Sequence, residues 1–249
     1  MREISRKGCV RVFEHERDLT VNYENATTEY FASRMNIRRR QVLIELNGNS
    51  FTISAGAMQW IAGSISIAAD VKGVGELIGK AFASKMTKES VIKPKYRGNG
   101  LIMLEPTYKH ILIEEVSEWN GLVVEDGLFL ACDSSVKQNL AIRNNISSAL
   151  LGGEGLINLV LSGSGITVLE SPVPRDELIL VNIDNDEIKI DGDYAIAWSN
   201  SLNFTVEKST KTLIGSVASG EKLVNVYRGS GKLLMSPINN QENIIKSTS

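Results

Sequence analysis

Cysteine and histidine are scarce: Cys9, Cys132, His15 and His110 are the only ones among 249 residues. Two cysteines cannot staple a chain of this size, and such sparse use fits a reducing compartment. Widely spaced, the four residues form no zinc pattern. Aromatics make up 6% of the chain, too few for an evident base-stacking surface. Charge of either sign is balanced, with 27 Lys and Arg against 29 Asp and Glu, a net charge of -2. That gives no bulk attraction to nucleic acid or to an anionic membrane, so nucleic acid is not an expected partner. No stretch approaches the ~20 apolar residues of a membrane span. The opening MREISRKGCVRVFEHERD is not followed by the apolar core of a secretory signal, and its glutamates disfavour a mitochondrial presequence. A cytoplasmic protein is expected.

What is present is a folded composition, 43% hydrophobic and 22% charged. It also contains a phrase that returns. YRGNGLIMLEP at 96–106, LSGSGITVLESP at 161–172 and YRGSGKLLMSP at 227–237 align on Gly98, Gly163 and Gly229, which are 65 and then 66 residues apart. A second glycine follows two residues later, at Gly100, Gly165 and Gly231, and then an apolar run closed by Pro106, Pro172 or Pro237. Three of the five prolines thus fall in one register. Asp126-Gly127 and Asp191-Gly192 keep the same period, as do Ala131 and Ala197. Several features in one register point to internal triplication.

Each unit reads as β. Glu187 to Asp191 and Leu202 to Glu207 alternate polar and apolar residues, the pattern of half-buried strands. Leu101 to Leu104 and Leu178 to Val181 are continuous apolar runs, expected of strands covered on both faces. The paired glycines allow a bulge or a close backbone approach, and the proline ends pairing because it has no N–H. The division expected is a lead-in over 1–40, β repeats over 41–106, 107–172 and 173–237, and a polar tail over 238–249. Val74, Leu77, Ile78, Ala81 and Phe82 fall at helical spacing, which predicts an inserted amphipathic helix near 71–86. A lone unit of this length is marginally stable, so neighbours pair their edges and the two outermost edges are left open. Closing them takes a cap or another copy of the chain.

The segments ISAGAMQWIAGSI, KESVIKPKYRGNGLIMLEP, VEDGLFLACDSSV, GGEGLINLVLSGSGITVLESP and GEKLVNVYRGSGKLLMSP together resemble the altered inheritance of mitochondria protein twenty-four family, from about Val42 to Pro237. The resemblance implies an all-β fold of three tandem short double-stranded β-helix units, like the tryptophan RNA-binding attenuation protein (TRAP-like). It also implies a homotrimer that closes a pseudo-ninefold ring. It implies no established biochemical activity, and neither the resemblance nor the residues point to a cofactor.

Candidate chemistry is thin. His15 and His110 read as solvated or strand-edge residues, and Cys132, after an apolar run, as a small buried side chain. No serine stands in a GxSxG elbow. Asp184, Asp186, Glu187, Asp191 and Asp193 lack calcium-loop spacing, and the interleaved isoleucines make them charges on a strand face. Gly73, Gly75 and Gly79 miss the spacing of a dinucleotide loop. Asn36 to Arg40 is the densest basic run and reads as a solvated lead-in to the first repeat strand. The function expected is a non-enzymatic ring-forming scaffold with protein or membrane-surface partners, for which Leu77, Ile78 and Phe82 are a candidate contact. The alternative is a ring that binds a small ligand or RNA in clefts between repeats.

Overall fold

The computed structural model describes residues 1–16, 21–69, 93–142, 157–207 and 224–238. The 71–86 segment with Leu77, Ile78 and Phe82, and nearly all of the polar tail, lie outside these residues. Fifteen strands, one α-helix and one 3-10 turn make up the described chain, so the expected all-β class holds. Among the described residues no helix is long and apolar enough to cross a membrane. The strands form two sheets, each the frame of one compact unit.

The first unit combines residues 1–114 with 129–136 and 165–175. Its strands are β1 (Arg2–Lys7), β2 (Val10–Glu14), β3 (Arg40–Ile53), β4 (Met58–Ala69), β5 (Pro94–Leu104), β6 (His110–Glu115), β8 (Phe129–Asp133) and β11 (Ile166–Ser171). Long β3 is the spine. One edge pairs with β5; the other pairs with β2 along its first half and with β8 at its end. Alternating burial follows from the pleat: Leu46, Phe51 and Ile53 point into a core shared with Val10, Tyr96, Ile102, Leu104 and Val168. The lead-in is structured. β1 and β2 form a hairpin, and α1 (Ala26–Arg34) follows an Asx turn in which Asn22 Oδ1 accepts from the backbone N–H groups of Glu24 and Asn25.

The second unit combines 115–128, 137–164 and 176–249. It holds β7 (Leu122–Val124), β9 (Lys137–Ile142), β10 (Ile157–Ser162), β12 (Ile179–Ile190), β13 (Ala195–Ser199), β14 (Asn203–Glu207) and β15 (Val224–Met235). Three of the chain's few aromatics pack together in its core, with Trp198, Phe204 and Tyr227 ring centroids 4.9–5.9 Å apart.

One pairing pattern occurs three times. β5 lies between β3 and β4, and β15 lies between β12 and the β13–β14 pair. In the middle stretch every strand is split, yet β11 lies between β6 and β8, and β10 between β7 and β9. The last strand of each stretch is therefore the central one. It is also the one carrying the glycine pair, and Pro106, Pro172 and Pro237 follow the ends of β5, β11 and β15.

Two expectations need correction. Leu178 to Val181 is not covered on both faces: β12 is an edge strand, with Ile179 and Leu180 46% and 42% exposed. An apolar run reads the same in sequence whether its neighbours lie in the chain or not. Asn36 to Arg40 leads into β3 with Asn36 and Ile37 exposed, but its last residue is not solvated. β3 starts at Arg40, whose side chain is 2% exposed and pairs with buried Glu14 at 3.0 Å.

Candidate functional site

The glycine pair is a backbone device. Gly98 and Gly100 have φ of +145° and +151°, and a Cβ there would stand 2.0 Å from the Ser64 carbonyl oxygen and 2.1 Å from that of Ala62. β4 and β5 therefore cross closer than any side chain permits. In the middle stretch the same pair, Gly163 and Gly165, falls where β10 ends and β11 begins. Gly231 in β15 keeps ordinary backbone, and there a Cβ would meet the side chain of Ser199 at 2.7 Å.

Joints between successive stretches follow one rule: the first strand of one stretch pairs antiparallel with the second strand of the next. Ile53, Thr52 and Phe51 of β3 stand opposite Ala131, Cys132 and Asp133 of β8. Val124, Val123 and Leu122 of β7 stand opposite Ala197, Trp198 and Ser199 of β13. Each second strand carries a bulge at the matching place, between Met58 and Trp60, between Phe129 and Ala131, and between Ala195 and Ala197.

That rule leaves one second strand and one first strand over. β4 has β5 as its partner in the sheet, and β12 has β15. In the shared register Trp60 and Ile61 match Ala131 and Cys132, and Ala197 and Trp198. The four residues at the internal joints are 0–1% exposed, whereas Trp60 is 42% and Ile61 36% exposed. Likewise Ile188 and Ile190 of β12 match Phe51 and Ile53 of β3. The open edge of β4 thus presents apolar residues at a position that is closed inside the chain, whereas on β12 Ile190 is buried and Ile188 packs against the core of its own unit.

The residues weighed for chemistry do not gather. Cys132 is fully buried in β8, opposite Thr52 and Thr167, as expected of a small core residue. Cys9 contacts Asn49 Nδ2 at 3.9 Å, and burial pushes its thiol pKa up, which makes it a poorer nucleophile. His15 Nε2 meets Gln41 Oε1 at 2.7 Å; His110 opens β6. Asp184, Asp186, Glu187, Asp191 and Asp193 are exposed along β12 and just beyond it. Among the described residues no three His, Cys, Asp or Glu groups could hold a metal ion. Sequence reasoning missed Trp60, Ile61, Ile179 and Leu180. Laying the β4 sequence on those of β8 and β13 in the glycine register, where Trp60 falls on alanines, was the signal that could have found the first two.

Fold and edges define an all-β protein with open apolar strand edges and no gathered catalytic constellation among the described residues. The chain belongs to the AIM24 family, described as mitochondrial biogenesis AIM24, which matches residues 34–238. An uncharacterized protein of Streptococcus pyogenes serotype M6 is 26% identical over 208 residues, 79% of this chain and 82% of that one. A crystal structure of a Streptococcus pyogenes protein from the Northeast Structural Genomics Consortium is 23% identical. It covers 84% of this chain and 92% of its own, with a TM-score of 0.58, and supports the fold.

Proposed function

We propose that this protein is a non-enzymatic cytoplasmic scaffold that assembles with copies of itself by strand addition. In this reading the three stretches are three repeats of one unit, and β12 of one copy lies antiparallel along β4 of the next. Ile190, Lys189 and Ile188 then stand opposite Trp60, Ile61 and Ala62 of the next copy, as the internal register dictates. The observation that carries the reading is the exposure of Trp60 and Ile61 at a position that is closed at both internal joints. A contact between two different edges is heterologous, so it must close into a ring or grow into a filament. Three copies close it in this reading, and the faces of the ring are offered to protein or membrane partners.

Native mass spectrometry tests the proposal. The expected mass is three times the 27.3 kDa of one chain. Ile61→Asp, placing a charge in the added-strand contact, is expected to give single chains with unchanged far-UV circular dichroism. A wild-type protein that stays a single chain across the accessible concentrations would overturn the proposal. A defined extra mass on three chains would turn it into a ligand-binding ring.

A further inference from the structure

An arginine-rich cleft of about 340 Å³ opens beside the first residues of β1 and β3. Arg2, Arg34, Arg38, Arg40, Asn36 and His110 are among its lining residues, with Glu14 the one carboxylate among the described residues that line it. Three of the guanidinium groups converge on that carboxylate. Arg38 Nη1 and Arg40 Nη2 each stand 3.0 Å from Glu14, and Arg2 Nη2 stands 3.5 Å away.

Arg40 is structural: its remaining donors meet the carbonyl oxygens of Asn36, Arg38 and Tyr108. The outer arginines are accessible, since the Arg2 side chain is 58% and that of Arg38 31% exposed. Arg34, exposed at the end of α1, also lines the cleft, and its Nη2 stands 3.0 Å from Tyr30 Oη of the same helix. Among the described residues, one carboxylate cannot balance four guanidinium groups, and even Glu16, 3.5 Å from Arg2 on its outer side, leaves a positive excess. The adjoining cleft of about 370 Å³ offers a contrast: Arg38 and Arg39 there face both Glu16 and Glu29.

We infer that this cleft binds a phosphoryl-class oxyanion, a phosphate monoester or inorganic phosphate, with Arg2, Arg34 and Arg38 as the ligating residues. A tetrahedral dianion matches the excess charge, and forked guanidinium donors suit its oxygens better than single ammonium groups would. Arg2 and most of α1 precede residue 34, where the family match begins, whereas Arg34 and Arg38 fall within it. The site is independent of the self-assembly proposed above.

The test is a thermal-shift titration of the full chain with inorganic phosphate against chloride at matched ionic strength. Phosphate is expected to raise Tm in a saturable way. In Arg34→Gln/Arg38→Gln the midpoint is expected to move up by about tenfold or more, because two charge-assisted contacts are lost. Arg97→Gln, which removes an exposed arginine from β5, leaves it unchanged. Arg2→Gln/Arg34→Gln spares both of Glu14's nearest partners and gives the same readout should the first variant fold poorly. Co-sedimentation with phosphatidic acid vesicles but not phosphatidylcholine vesicles, lost in the same variants, would assign the phosphoryl group to a lipid headgroup. Phosphate binding without vesicle binding would assign it to a soluble ligand. No phosphate shift beyond chloride, or an equal shift in the variants, would overturn the inference.

Discussion

β3 and β12 hold the same place in their sheets, and their surroundings differ. Both are long first strands, and both pair along their length with the glycine-bearing central strand. On its other edge β3 is covered twice, by β2 along its first half and by β8 at its end. Among the described residues β12 has neither cover. Val42 and Leu43 of β3 are buried, and Ile179 and Leu180, which match them in register, are exposed. The comparison teaches that an apolar strand becomes core or surface according to what is laid on its edge, not according to its own composition.

The largest effect expected from breaking this comparison is at the lock that holds the cover on β3. Glu14→Ala leaves Arg40 buried without its carboxylate, and the expected loss is about 3–5 kcal/mol, read by chemical denaturation. Next comes a matched pair of lysines. Val42→Lys forces an ammonium into the covered edge and is expected to cost about 3 kcal/mol or more, whereas Ile179→Lys changes monomer stability by less than about 0.5 kcal/mol.

A smaller contrast lies on the central strands. Gly100→Ala adds a methyl against a backbone carbonyl at a left-handed φ and is expected to cost about 1–3 kcal/mol. Gly231→Ala meets serine side chains at ordinary φ and is expected to cost less. Urea denaturation of the two single variants ranks them.

The smallest effect is electrostatic. Where Ser50 faces Arg97 on β3 and β5, Glu187 faces Arg228 on β12 and β15. Arg228 also bonds Glu207 of β14 through both Nη1 and Nη2. These hydrogen bonds, with Thr205 adding to them, pull the Glu207 carboxyl down from 4.5 to about 2. A depressed carboxyl stabilises the fold above its unfolded value near 4.5, and that contribution is lost as pH falls through about 2. Arg228→Gln is therefore expected to move this acid limb up toward pH 4.5 in a Tm-against-pH series. Both side chains are over a third exposed, so salt is expected to shrink the difference.

Much of the architecture was legible in the sequence, for reasons that can be named. Glycines two apart with a trailing proline report a backbone crossing and a strand end, and both are local properties. Alternation over Glu187 to Asp191 reports a strand with one face out, also locally. Cys132 was legible as a buried residue from the apolar run before it. What failed was non-local. Arg40 looked solvated because Glu14, its partner, lies 26 residues upstream. Leu178 to Val181 looked covered because edge position is a fact about neighbouring strands. The arginine cleft was half visible as Asn36 to Arg40. Its other half, Arg2, comes from the far end of a hairpin whose pairing with β3 no short window reveals.

The split strands of the middle stretch also set the order in which this chain can fold as it is made. β11 belongs to the first sheet but is synthesised after most of the second stretch, and among the described strands β6 pairs with β11 alone. The first sheet therefore waits, with β4 and β5 already out of the ribosome, until Ser171 has emerged. The second sheet in turn includes β7, β9 and β10, so a cut at any one point of the middle stretch takes strands from a sheet, and a nascent chain stopped at residue 160 still lacks β11.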